Sequence, residues 1–295
     1  MNGRILVCTD LDRTLLPNGP ETESPGARER FAKVASRTEV TLAYATGRHK
    51  ALVEEAMCGY ALPLPDYVIG DVGTTIYSIV QNGSHADWQP WSSWATEIAS
   101  DWKGCNRKDL ERKLTGITGM RLQEKEKQGD FKLSYDILPG SKQSRLLHAI
   151  RQRLDAYEIR AGLIWSVDVR ANIELLDIVP ARATKYDALR FLMQHKGFSV
   201  ENTLFAGDSG NDMEVLVSPL HTVLVANAST DVRRRALQGA KQRGTSDSLY
   251  IAKGGISGKG GISGMNGNYS AGILEGMLRY LPQTRDWIDC ALSEK

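Results

Sequence analysis

Two aspartates two residues apart, Asp10 and Asp12, end a short apolar run, Ile5-Leu6-Val7-Cys8-Thr9, and Thr14 follows two positions later. On an extended chain residues i and i+2 point the same way. The two carboxylates should therefore project together, and such a pair repels unless a cation joins it or one member is protonated. A second acidic pair, Asp208 and Asp212, follows another apolar run, Thr203-Leu204-Phe205-Ala206-Gly207. Between the two clusters lie Thr46-Gly47-Arg48, at the end of Val40-Thr41-Leu42-Ala43-Tyr44-Ala45, and Lys185, in a helical stretch. Together these supply what phosphoryl transfer needs: a carboxylate nucleophile, a divalent cation, and a hydroxyl and an ammonium for the phosphate oxygens. Mg²⁺ prefers oxygen ligands, so Asp10 and Asp208 with a backbone carbonyl would suffice to hold it. Taken singly, each residue has a plainer reading. A strand-end Asp often caps a helix or forms a turn, Thr-Gly-Arg is an ordinary turn with a cap, and a lone Lys on a helix is usually solvated.

The elements that must position these groups read as βα units. Apolar runs at 5–9, 40–45, 67–69, 203–207 and 222–226 predict buried strands, and 249–251 a possible edge strand. Helices are expected over 25–36, 50–58, 184–196, 213–217, 230–243 and 271–281, and a hairpin over 70–77. In a doubly wound sheet the strand ends converge on one ligand-binding edge. Glycines at 207 and 210 are expected to let the acidic loop turn sharply. The fold class is therefore α/β, a doubly wound, mostly parallel Rossmann-like sheet, with an inserted α+β cap. Residues 1–80 and 181–295 would form the core and 81–180 the cap, with crossings near 78–83 and 180–183. Inside the cap, strands are expected over 130–138, 162–169 and 172–179, the last two joined at Arg170-Ala171-Asn172. A helix is expected over 144–157, with Leu146, Leu147, Ile150, Leu154 and Tyr157 inward.

Trp88, Trp91 and Trp94 recur every third residue, roughly one side of a helix, with Trp102 nearby. They could form an aromatic platform for a sugar ring, but a packing stripe is the preferred reading. The glycine-rich stretch from 254 to 267 holds a near repeat, Gly-Gly-Ile-Ser-Gly. It lacks the strand and helix context of a phosphate loop and is expected to be a flexible loop.

Bulk properties exclude several classes. The 295 residues carry 37 basic and 35 acidic side chains, interleaved, for a net charge of +2, so no nucleic-acid footprint stands out. Four cysteines without metal spacing predict reduced thiols in a cytoplasmic protein. The first apolar run is too short for a secretion signal, and no stretch reads as a membrane span.

Asp10-Leu11-Asp12-Arg13-Thr14, Thr46-Gly47-Arg48, Lys185 and Gly207-Asp208-Ser209-Gly210-Asn211-Asp212 resemble the four ordered motifs of the haloacid dehalogenase-like phosphatases. Val72-Gly73-Thr74-Thr75-Ile76-Tyr77, Leu175-Leu176-Asp177-Ile178-Val179-Pro180 and Ser270-Ala271-Gly272-Ile273-Leu274-Glu275-Gly276 narrow the likeness to the sucrose-phosphate phosphatase branch, which includes mannosylfructose-phosphate phosphatases. The resemblance spans the whole chain. It implies that Asp10 attacks phosphorus, and that Asp12 protonates the leaving sugar oxygen and then activates water. Thr46, Gly47, Arg48, Lys185 and Asn211 would form the phosphate site. Asp10, Asp12 through its carbonyl, and Asp208 would bind Mg²⁺, with Asp212 supporting the shell. Two departures stand out: Arg13, where the family often has a small or neutral residue, and the glycine-rich insertion.

The expected activity is Mg²⁺-dependent hydrolysis of a disaccharide phosphate, such as sucrose 6-phosphate or mannosylfructose phosphate. A functional pairing with the glycosyltransferase that makes the substrate would follow. The rivals are a phosphomutase on the same scaffold and a catalytically silent sugar-phosphate- or glycosyltransferase-binding domain.

Overall fold

The computed structural model describes residues 3–83, 85–168, 173–255 and 261–293. In chain order the elements are β1 (Ile5–Thr9), α1 (Ala27–Ala35), β2 (Val40–Ala45), α2 (Lys50–Gly59), β3 (Tyr67–Gly70), β4 (Thr75–Asn82) and β5 (His85–Pro90). There follow α3 (Ser92–Ala99), α4 (Arg107–Lys113), β6 (Met120–Leu122), β7 (Leu133–Ile137), α5 (Gln143–Ala156), β8 (Ala161–Asp168) and β9 (Ile173–Pro180). The chain continues through α6 (Lys185–Lys196), β10 (Thr203–Gly207), α7 (Met213–Leu216), β11 (His221–Leu224), α8 (Thr230–Arg243), β12 (Leu249–Ile251), α9 (Ser270–Tyr280) and α10 (Arg285–Ser293).

Eight strands form one sheet in the order β12-β11-β10-β1-β2-β3-β4-β5. Pairing is parallel from β12 to β3 and antiparallel for β3–β4 and β4–β5. The fold is thus α/β with a large, mostly parallel sheet. Both sheet faces are covered, which is why the central strands read as unbroken apolar runs. Ile5 and Val7 pack with α1, α2, α9 and α10, whereas Leu6 and Cys8 pack with α3 and α6. A second, antiparallel sheet, β6-β7-β9-β8, buries one face against α4 and α5 through Leu110, Leu146, Ile150 and Leu154.

Several local expectations are corrected. The division at residue 80 falls inside β4, and the expected crossing near 78–83 is a hairpin that stays in the large sheet as far as Pro90. The tryptophans do not share a helix side: Trp88 lies on β5, Trp91 precedes α3 and only Trp94 is on it. Their contacts are packing contacts. Trp88 meets Tyr77 edge-on, Trp91 and Trp94 meet Phe191, and buried Trp102 meets Phe131 of the second sheet's core. Tyr157 ends α5 exposed rather than inward, with the Lys113 ammonium over its ring. The turn at 170–172 lies outside the described residues. The described parts of the glycine-rich stretch are packed: Ile262 and Met265 are buried, and Gly255 bridges Ser263. A final helix, α10, had no sequence expectation. Among the described residues no helix is long and apolar enough to cross a membrane.

Candidate active site

β1 sits at the centre of the large sheet, between β10 and β2, so its carboxyl end is the switch point where such sheets bind ligands. Asp10 leaves β1 there, its N–H donating to Ala206 O of β10 at 2.9 Å. Asp208 leaves β10 beside it, and Thr46 leaves β2 on the other side. Lys185 starts α6, whose N-cap Thr184 accepts the Asp187 N–H. Gly73 seats that helix start. It has φ +101°, and a Cβ there would lie 2.6 Å from the Thr184 carbonyl carbon.

In the first group Asp10, Lys185, Asp208 and Asp212 are almost wholly buried, whereas Asn211 is exposed. Lys185 Nζ donates to Asp10 Oδ1 and to Asp212 Oδ1, each at 2.7 Å, and lies 3.3 Å from Asn211 Oδ1. Asp212 Oδ2 accepts the Asp208 and Ser209 N–H groups and the Ser209 hydroxyl, so this carboxylate closes its own loop. Gly207 answers to the same carboxylate. It has no left-handed φ, but a Cβ there would meet Asp212 Oδ2 at 2.6 Å. Close approach, not the expected sharp turn, requires glycine at 207. Gly210 is not left-handed either, and its nearest neighbour would be the Arg235 guanidinium at 3.8 Å.

Carboxylate oxygens of Asp10, Asp208 and Asp212 lie within 4.8 Å of one another. Three buried carboxylates face a single buried ammonium. Burial would push the Lys185 ammonium down, but contact with Asp10 and Asp212 outweighs it and holds the group charged. Burial pushes Asp10 up, with the Asp212 and Asp208 charges adding to it and Lys185 opposing. Burial and then Asp212 push Asp208 up to about 7. This surplus of buried negative charge, with only oxygen donors, fits a hard divalent cation and not a site built for zinc. Thr14, fully buried, places its hydroxyl 3.5 Å from Asp10 Oδ2 and 3.4 Å from Asp208 Oδ1. It had no assigned role, and its position two residues past Asp12 was the available signal.

A second group stands beside the first. Asp12 turns its carboxylate away from the cluster to Arg48, whose Nε donates to Oδ2 at 2.8 Å and Nη2 to Oδ1 at 2.7 Å. Asn18, a residue that sequence reasoning missed, adds its amide to Oδ1 at 2.7 Å. Burial would raise the Asp12 carboxyl, but these donors prevail and hold it below the usual carboxylate range. Arg48, expected at the phosphate, is thus engaged by Asp12. Thr46 is fully buried, and its hydroxyl accepts the Arg48 N–H at 3.2 Å. A Cβ on Gly47 would make only ordinary contact with Val72, at 3.6 Å, leaving open the backbone face that an anion could approach.

A family model described as sucrose-6F-phosphate phosphohydrolase matches residues 3–280. A protein of Nitrosococcus oceani named as a HAD-like hydrolase is 49% identical over 294 residues, covering 100% of this chain and 76% of that protein. Sucrose-phosphatase 1 of Nicotiana tabacum is 27% identical over 243 residues, covering 81% of this chain and 54% of its own length. The chain therefore spans about half of that plant protein. Among solved structures, the Synechocystis sucrose-phosphatase in complex with sucrose and phosphate superposes with a TM-score of 0.69 at 24% identity, covering 94% of this chain and 98% of that one. At that identity the likeness speaks for the fold.

Proposed function

The chain belongs to the sucrose-6F-phosphate phosphohydrolase family, haloacid dehalogenase-like phosphoric monoester hydrolases, and on that premise we propose that it is a Mg²⁺-dependent phosphatase of a disaccharide phosphate. Sucrose 6-phosphate or mannosylfructose phosphate is the substrate we favour. The observation that carries the reading is the contact of Lys185 Nζ with Asp10 Oδ1 at 2.7 Å, inside a buried cluster at the end of the central strand.

Asp10 and Asp208 would hold the cation with the Asp12 backbone carbonyl, and Asp212 would fix the loop behind them. When bound, Mg²⁺ supplies charge to the phosphate oxygens and lines up the attack. An Asp10 oxygen attacks phosphorus, and the bond to the sugar oxygen breaks. Asp12, protonated at that moment, gives its proton to the departing sugar oxygen. Water then attacks the aspartyl phosphate and loses a proton to the Asp12 carboxylate. The bond between phosphorus and Asp10 breaks, and inorganic phosphate leaves. Lys185, the Thr46 hydroxyl, the Gly47 backbone and Asn211 would hold the phosphate oxygens.

The antiparallel sheet β6-β7-β9-β8 would act as the cap that reads the sugar. A glycosyltransferase that makes the substrate is the proposed functional partner, and four unpaired thiols support a cytoplasmic setting. The test is kcat/KM for phosphate release across a panel of sugar phosphates, with Mg²⁺ and with EDTA. Strong preference for one disaccharide phosphate, lost in EDTA, is the expected result. Equal rates across the panel would sink the substrate assignment, and conversion to an isomeric phosphate would mark a mutase.

A further inference from the structure

Arg13 follows the proposed acid–base residue directly and is held in a left-handed conformation, φ 60°. A non-glycine residue adopts this conformation uncommonly, and here the surroundings hold it there. Both of its backbone groups are pinned. Its N–H donates to Asn18 Oδ1 at 2.8 Å, and its carbonyl accepts the Asn227 amide at 2.6 Å. The side chain is thereby aimed at the carboxylate cluster, with Nε 3.4 Å from Asp208 Oδ2. Its other end has separate partners: Nη2 lies 3.3 Å from Glu21 Oε1 and 3.4 Å from Asn227 O.

Those partners are themselves anchored. The Tyr269 hydroxyl donates to Glu21 O at 3.1 Å and lies 3.3 Å from Glu21 Oε2, and the Tyr269 N–H donates to Asn227 Oδ1 at 2.9 Å. Tyr269 is fully buried and, like Arg13, has a positive φ, 50°. The far end of the glycine-rich stretch and the residue just past it dock on the same loop, with the Asn266 and Asn268 amides donating to Thr22 O at 2.8 and 3.0 Å. Buried Glu275 fixes the near end of the stretch by accepting the Lys253 and Gly254 N–H groups, each at 2.9 Å. The two departures noted in the sequence, Arg13 and the glycine-rich insertion, therefore belong to one construction around Glu21.

We propose that Arg13 is a positioning residue that competes with the divalent cation for Asp208, and that Glu21 is the carboxylate that holds its guanidinium away once the cation binds. In the metal-free protein the guanidinium neutralises part of the surplus carboxylate charge. In the loaded protein it is a positive charge beside a positive ion, and retention by Glu21 and the Asn227 carbonyl limits that cost. The proposal rests on the reading that the Asp10–Asp208 cluster binds Mg²⁺.

The test is calorimetric titration of Mg²⁺ into the metal-stripped full chain, as wild type, Arg13→Asn and Glu21→Gln. Asparagine tolerates the left-handed region, so Arg13→Asn removes the charge without adding backbone strain. We expect Arg13→Asn to bind Mg²⁺ about tenfold more tightly and Glu21→Gln about threefold more weakly, the sizes expected of a half-exposed charge. Thermal denaturation should show Arg13→Asn less stable than wild type in EDTA and recovering in saturating Mg²⁺. Unchanged or weaker binding by Arg13→Asn, or tighter binding by Glu21→Gln, overturns the role of Arg13 while leaving the metal site standing. No binding by the wild type overturns the metal reading itself and this proposal with it.

Discussion

Arg48 reaches 36 positions back along the chain to grip both carboxylate oxygens of Asp12, Nε on one and Nη2 on the other. The fork and the Asn18 amide outweigh burial and favour the ionised form. That state suits the water-activating step but opposes the proton donation that precedes it. The sugar phosphate must therefore loosen the fork, or meet the minor protonated form.

A leaving-group comparison follows. In Arg48→Ala the Asp12 carboxyl should rise, because burial is then opposed only by the Asn18 amide and the Lys185 charge. The pH above which kcat/KM for a sugar phosphate declines should move upward, since this ratio reports the free enzyme. Hydrolysis of p-nitrophenyl phosphate, whose leaving group needs no proton, should keep its profile. Parallel shifts for both substrates would argue against Arg48 acting through Asp12.

Asp208 gives a pH-dependent stability. Its folded-state value of about 7 lies above the ordinary 3.8. The proton is thus bound more tightly in the folded chain. The stability this group contributes is complete below the unfolded value and disappears as pH rises through about 7. In EDTA, the wild type should lose thermal stability relative to Asp208→Asn as pH rises from about 4 to about 7. Parallel melting curves across that interval would contradict the assignment. Mg²⁺ should bind more tightly over the same rise, because the proton no longer competes.

Lys185 is the buried counter-charge. Lys185→Met would leave Asp10 and Asp212 facing each other without their shared ammonium. We predict a loss of about 3–5 kcal/mol in denaturant unfolding of the metal-free protein, the usual cost of breaking a buried pair from one side. A loss below about 1 kcal/mol, as for an exposed pair, would mean that the ammonium does little to hold the cluster.

Much of this architecture was legible because particular residues mark its boundaries. Val40–Ala45, Thr203–Gly207 and Leu249–Ile251 occupy the expected positions. They are buried or half-buried runs cut off by polar residues or glycine, and both local cues agree. The tryptophans misled because a three-residue spacing carries no helix across the β5–α3 boundary, where Trp88 is on a strand. The second acidic loop was found by its spacing, yet the reason for Gly207 was hidden, since it depends on where the Asp212 carboxylate comes to rest. The Arg48 fork and the Arg13–Glu21–Tyr269 construction were equally out of reach, because each joins segments whose proximity is made only by the tertiary fold. Thr14 was the nearest miss: its residue type and position were in view, and only its burial between Asp10 and Asp208 gives it meaning.

The central claim is that Asp10 is the nucleophile, and phosphate release by Asp10→Asn tests it most directly. With the preferred disaccharide phosphate and saturating Mg²⁺, the variant should fold as the wild type does and turn over about 10⁴-fold to 10⁶-fold more slowly, the scale of removing a covalent nucleophile. Release within tenfold of the wild-type rate would contradict attack by Asp10.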